Sequence, residues 1–200
     1  IFFTMLTLLP SFIIMFTSFT RITVVFSLLK NAIGAQQSIP SQILVGLAIF
    51  LTIFIMQPVY TEINEVALKP YSNEEITFEQ ALENASNPIK DFMLKETRQK
   101  DLELFVDAAK LNSGELTRKN IPLYSIVPAF AISELKTAFQ IGFLLFVPFM
   151  VIDMIVASVL MSMGMMMLPP TVISLAFKLL LFVMVDGWNL IVKSLITSFS

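Results

Sequence analysis

Residues Pro148–Pro170 read PFMVIDMIVASVLMSMGMMMLPP, and the reading of this stretch decides the fold. It holds seven of the twelve methionines, a single acid, a run of small residues and a double proline. Met150, Met154, Met161 and Met165 stand at i, i+4, i+11 and i+15. At roughly 100° per residue they fall within about 60° of one helix face. Ala157, Ser158, Ser162 and Gly164 supply small residues where backbones can approach closely. The helix is expected to run into Met165, Met166 and Met167. Pro169 and Pro170 are expected to stop it, because proline lacks an amide donor and restricts the residue before it. The stretch is too apolar for a soluble surface and too rich in methionine for a featureless membrane span.

Outward from there, the composition agrees. The chain has 200 residues, 56% of them hydrophobic and 14% charged. Soluble chains carry roughly a quarter charged residues, so the class is membrane-associated. The net charge of −2 leaves no basic footprint for nucleic acid. Without cysteine there is no disulfide, iron–sulfur cluster or thiol nucleophile. Without histidine the commonest general base and transition-metal ligand are missing. No cofactor and no metal site is expected. The first residue is Ile1 rather than methionine, which suggests a processed N-terminus and a cleaved signal peptide.

Charge is unevenly placed. Between Pro58 and Pro122 lie 12 acidic and 8 basic residues; the rest of the chain carries 3 and 5. The expected architecture is all-α and membrane-associated, with two long apolar helical hairpins and a polar helical insert between them. Residues 1–60 form the first hairpin, 61–120 the insert, and 121–200 the second hairpin with its methionine-rich loop.

In the first hairpin, one arm runs from about Phe3 to Ala35, with a kink expected at Pro10 and a stop at Gly34. Arg21 interrupts it. A lone arginine there either snorkels to an interface or joins a buried or inter-subunit ion pair. The second arm, Ser41–Tyr60, is uncharged and long enough to span a bilayer, its apolar core ending at Gln57 and Pro58. In the insert, Thr77 and Gln80 make a capping-box signature. Asn87 followed by Pro88 reads as an N-cap opening an amphipathic helix to about Leu111. Its mixed charge reads as a solvated face. The last arm begins near Thr171 and runs to about Ser198.

Glu134, Lys136, Asp153, Lys178 and Asp186 sit in apolar surroundings, where an unpaired charge costs several kcal/mol. They should be paired or wetted, with Glu134–Lys178, within or between subunits, the favoured one of several possible pairings. A hydrophilic lining facing a lumen is the other possibility. Two more function classes fit some of these residues. Asp153 and Asp186 could share a proton in an intramembrane aspartyl protease, but the GxGD arrangement is missing and no second motif accompanies Asp153. Glu134 or Asp153 could carry the proton of a small-solute transporter, but no convincing internal repeat marks that fold.

GLAIFLTIFIMQPVY (Gly46–Tyr60), PAFAISELKTAFQIGF (Pro128–Phe143), the opening stretch and FKLLLFVMVDGWNL (Phe177–Leu190) together resemble the FliP/SctR family of type III secretion export-gate proteins. FLTIFIM favours the flagellar branch over the virulence branch. Met150 replaces an expected leucine and Ala176 an expected proline, which puts only a local kink in doubt. The resemblance implies a non-enzymatic core subunit of the flagellar export gate. It implies a homo-oligomeric ring, a pentamer, built with FliQ and FliR and working with FlhB and FlhA. Unfolded flagellar export substrates pass through the ring. It places the protein among the lipids of the bacterial inner membrane, in the flagellar basal body, with the assembled core and the insert on the periplasmic side. It also makes Met165, Met166 and Met167 a gasket narrowing the pore. Methionine suits that task, being flexible and polarizable enough to close without gaps and to deform around any sequence, and apolar constrictions also gate by dewetting. Met150, Met154 and Met161 read instead as packing between helices.

Overall fold

The structure, a computed structural model, describes residues 11–36, 38–110, 120–165 and 168–199. Among these residues it is helical, with no strand. Residues 11–16 are helical and break at Thr17 and Ser18. Helix α1 follows as Phe19–Ile33, then α2 Ser41–Ile63, extended by a π-turn Asn64–Leu68 and a last turn Lys69–Ser72. The insert supplies α3, Phe78–Glu96, and α4, Gln99–Ala108; α5 is Leu123–Ser162, α6 Pro170–Met184 and α7 Gly187–Thr197. Two stretches, Ser41–Ser72 and Leu123–Ser162, are long and apolar enough to cross a membrane.

The chain divides into two compact units. One joins the residues up to Arg21 with Ile49–Lys136; the other joins Ile22–Ala48 with the residues from Thr137 onward. In the first, Met93 and Leu94 of α3 pack with Ile121, just before α5, and with Ile126 and Phe130 at its start. Phe92 meets Phe130 edge-on at 5.9 Å. Each such side chain removed from water contributes about 1.5–3 kcal/mol. In the second unit, Ile22, Val25, Phe26, Leu29 and Ile33 of α1 are buried at helical spacing. Gly142 of α5 permits the close approach of Leu28; a Cβ there would stand 2.2 Å from Leu28 Cδ1 and 3.0 Å from its Cβ.

Helix ends follow local chemistry. The capping box forms at α3: Thr77 Oγ1 accepts from the Gln80 amide, and Gln80 Oε1 accepts from the Thr77 amide. Gly34 ends α1 in the left-handed region, at φ +81°. The Ala35 amide donates to Lys30 O and the Gly34 amide to Asn31 O, the paired bonds of a Schellman cap.

Several boundaries differ from those expected. Pro10 lies outside the described residues. α2 runs beyond the expected end at Tyr60 and continues past Ile63, with Pro58 in its interior. Pro88 is likewise inside α3, buried, rather than at a helix start. The expected single amphipathic helix breaks instead at Thr97 and Arg98. There the Arg98 amide donates to Ser133 Oγ, which donates to Asp101 Oδ2 on the first turn of α4. A side chain from α5 thus satisfies the backbone at the break. The last arm also divides. Asp186 adopts φ +51°, and α6 and α7 meet at 64°. Gly187 is required beside that bend because a Cβ would sit 2.3 Å from the Phe182 ring, which packs edge-on against Trp188 at 5.3 Å.

The opening stretch needs the most revision. α5 stops at Ser162, before the three consecutive methionines, and it is Gly164 that stops it. At φ +73° Gly164 donates to Met161 O, and the Met165 amide donates to Leu160 O, a second Schellman cap. Pro169 and Pro170 belong to the next helix: Pro169 is the N-cap of α6 and Pro170 its first residue. There proline's fixed φ is favourable and its missing N–H costs nothing.

Candidate functional site

α5 ends at the left-handed Gly164, and α6 begins at the Pro169–Pro170 pair. Of the expected gasket, Met165 lies just past Gly164 and is 40% exposed. Met166 and Met167 lie outside the described residues. Met163 and Leu168 on either side are also exposed. Met150, Met154 and Met161, read as a packing face, are exposed as well among the described residues. Ser158 and Ser162 donate back to Met154 O and Val159 O, which keeps their hydroxyls satisfied in an apolar helix.

About ten residues back from Gly164, roughly 15 Å along the helix, α5 and α6 are joined by a charged cluster. Lys178 Nζ donates to Asp153 Oδ2 at 2.6 Å and to Ala32 O, at the end of α1, at 3.1 Å. Ser174 Oγ donates to Asp153 Oδ1 at 2.6 Å. Ser174 and Lys178 are i and i+4, so one face of α6 presents both donors. Asp153 is 39% exposed, whereas Lys178 is buried. The cluster ties three helices together below Met165.

A second cluster is more deeply buried. Arg21 is 2% exposed, Glu134 0% and Glu96 9%. The Arg21 guanidinium donates through Nε to Glu134 Oε2 at 3.0 Å and through Nη2 to Glu96 Oε2 at 2.8 Å. Nη2 also bonds the second oxygen of Glu134, making that pair bidentate. The planar fork of arginine is what allows one cation to serve two carboxylates on two helices.

The pairing therefore differs from the one expected. Glu134 takes Arg21 and Lys178 takes Asp153, in place of a Glu134–Lys178 pair within the chain. Arg21 does not snorkel; it is enclosed. Lys136 and Asp186 are exposed and belong to no ion pair among the described residues. Glu96 was missed, because its helix carries mixed charge and reads as solvated. Ser174 was missed too, although its place four residues before Lys178 on an apolar helix was a usable signal. Both oxygens of Asp153 are engaged by Lys178 and Ser174, an arrangement unlike a proton-sharing carboxylate dyad. Among the described residues no group of three or more carboxylates could hold a metal ion.

Comparison with known proteins points in one direction. The profile of the FliP family matches residues 2–195. The chain is 58% identical to the flagellar biosynthetic protein FliP of Bacillus subtilis (strain 168) over 196 residues, 98% of this chain and 88% of that protein. It is 51% identical to the FliP of Aquifex aeolicus (strain VF5) over 200 residues, 100% of this chain and 84% of that protein. A third relative, the FliP of Buchnera aphidicola subsp. Acyrthosiphon pisum (strain APS), is 53% identical over the whole chain, which spans about half, 52%, of that longer protein.

Proposed function

This chain belongs to the FliP family, and from that premise we propose that it is a core subunit of the flagellar type III protein export gate. Several copies, five by family resemblance, assemble with FliQ and FliR into a ring around a channel. FlhB and FlhA complete the apparatus, and unfolded flagellar subunits pass through. The ring sits in the inner membrane and projects, with the insert, to the periplasmic side. Met165, Met166 and Met167 line its narrowest point.

The observation that carries the reading is the placement of Met165. Gly164 ends α5 just before it, so its side chain lies past the helix end, exposed among other exposed apolar groups. In a lone chain that is an unrewarded contact with water. Around a central axis, copies of the same side chain would meet and bury one another. The Lys178–Asp153–Ser174 cluster fixes α6 on α5 below Met165, and methionine's flexible thioether suits a seal that must deform. The exposed Met150–Met154–Met161 face would then pack between subunits. Lys136 and Asp186 would face water or the lumen.

The test replaces Met165, Met166 and Met167 together with alanine in flagellated cells and measures ion leakage and secretion of a flagellar substrate. Leakage should rise while secretion is retained or increased. Unchanged leakage and unchanged secretion would overturn the gasket.

A further inference from the structure

The apolar helix α2 does not stop where its apolar run stops. It widens into the π-turn Asn64–Leu68 and ends in Lys69–Ser72, with Pro70 near the start of that last turn. In an α-helix residue 70 donates its N–H to the carbonyl of residue 66. Proline has no N–H, and its ring crowds that same carbonyl. The helix responds by widening: the Lys69 amide donates to Asn64 O, five residues back instead of four. The Val66 carbonyl receives a donor from another helix, since Asn84 Nδ2 donates to it at 3.1 Å.

Asn84 lies within α3, which returns along the π-turn after a tight connection at Glu74, φ +61°. Ala67 of the π-turn and Ala81 of α3 are both buried. Tyr71 and Phe78 stack edge-on across the connection at 6.0 Å. At its far end α3 is held by Glu96 on Arg21. We propose that Asn84 is a positioning residue: it clasps the first helix of the insert to the end of α2 by supplying the hydrogen bond that Pro70 removes. Proline and asparagine then form one device. Pro70 opens the carbonyl, Asn84 captures it, and α2 and α3 are locked as an elbow of fixed angle. The insert is thereby carried rigidly on the apolar helix.

The device is tested in the full chain by a cycle of two substitutions. Asn84→Leu removes the donor at similar volume. Hydrogen exchange of the purified protein across residues 64–72 should become roughly fivefold faster, the effect of one lost hydrogen bond. Motility of cells carrying the variant should fall. Pro70→Ala restores a backbone N–H for Val66, so adding it to Asn84→Leu should return exchange to within about twofold of Pro70→Ala alone, and restore motility. Lost packing at Asn84 would not be repaired by an amide on another helix, so the rescue separates clasp from filler. Asn84→Asp, isosteric but without the NH2 donor, should behave as Asn84→Leu does. Unchanged exchange in both Asn84 variants, or failure of Pro70→Ala to rescue, overturns the proposal. If Asn84→Leu does not accumulate, recovery of the protein by Pro70→Ala supports the clasp, and continued absence overturns it.

Discussion

Arg21→Met removes the cation that bridges Glu134 and Glu96 while keeping an unbranched apolar side chain in its place. Two carboxylates then remain enclosed, Glu134 at 0% exposure and Glu96 at 9%. Breaking a buried pair by taking one partner costs about 3–5 kcal/mol, because the other charge is left uncompensated. That is a large share of the ~5–15 kcal/mol that holds an ordinary domain. For a chain of this size each kcal/mol moves the midpoint by about 2–4 °C, so the melting temperature should fall by roughly 6–20 °C. The assay is thermal unfolding in detergent, followed by far-ultraviolet circular dichroism, together with the amount of protein recovered from membranes. Arg21→Met/Glu134→Leu removes cation and facing carboxylate together. It should lose at least ~1 kcal/mol less than the sum of the single variants, since both singles strand the same pair. A single variant within about 1 kcal/mol of the parent, or strict additivity to within about 0.5 kcal/mol, refutes the reasoning.

Two further substitutions probe the bends. Gly187→Ala puts a methyl group into the Phe182 ring, wedged between Phe149 and Trp188; a loss of about 1–3 kcal/mol is expected in the same unfolding assay, largely recovered by adding Phe182→Leu. Gly164→Ala meets nothing within 4 Å, so its cost is backbone strain alone. About 1–2 kcal/mol should be lost, Gly164→Asn should lose less, and ion leakage in cells should rise with the strain if the turn sets the seal.

Much of the fold was legible because its signals are local. Gly34 stops a helix, Thr77 and Gln80 cap one, and the charge-poor runs mark the apolar helices. Proline was the residue most often misread. Pro169 and Pro170 are conspicuous, and look like the end of α5, but proline at the first position of a helix costs nothing; the stop was Gly164, five residues earlier. Pro88 read as a helix start and proved interior, since it lies within a helix whose remaining packing outweighs one lost bond. The ion pairs were illegible for a different reason. Arg21 and Glu134 are 113 residues apart, and no periodicity reports which of several buried charges face each other. Only the Ser174–Lys178 spacing carried a clue, and it named the donors without their acceptor.

The length of α5 has a consequence for how this protein is made. Forty residues at 1.5 Å each give a rod of about 60 Å. Even at the ~40° limit of observed tilts it spans about 46 Å of depth, against a hydrocarbon core of about 30 Å. About fourteen residues of the helix therefore exceed that core, and little of its most apolar stretch is covered among the described residues. A newly synthesised copy is poorly matched to both phases. If the proposed assembly holds, release from the insertion machinery is coupled to capture by partner subunits, and an orphaned copy would be a substrate for membrane quality-control proteases.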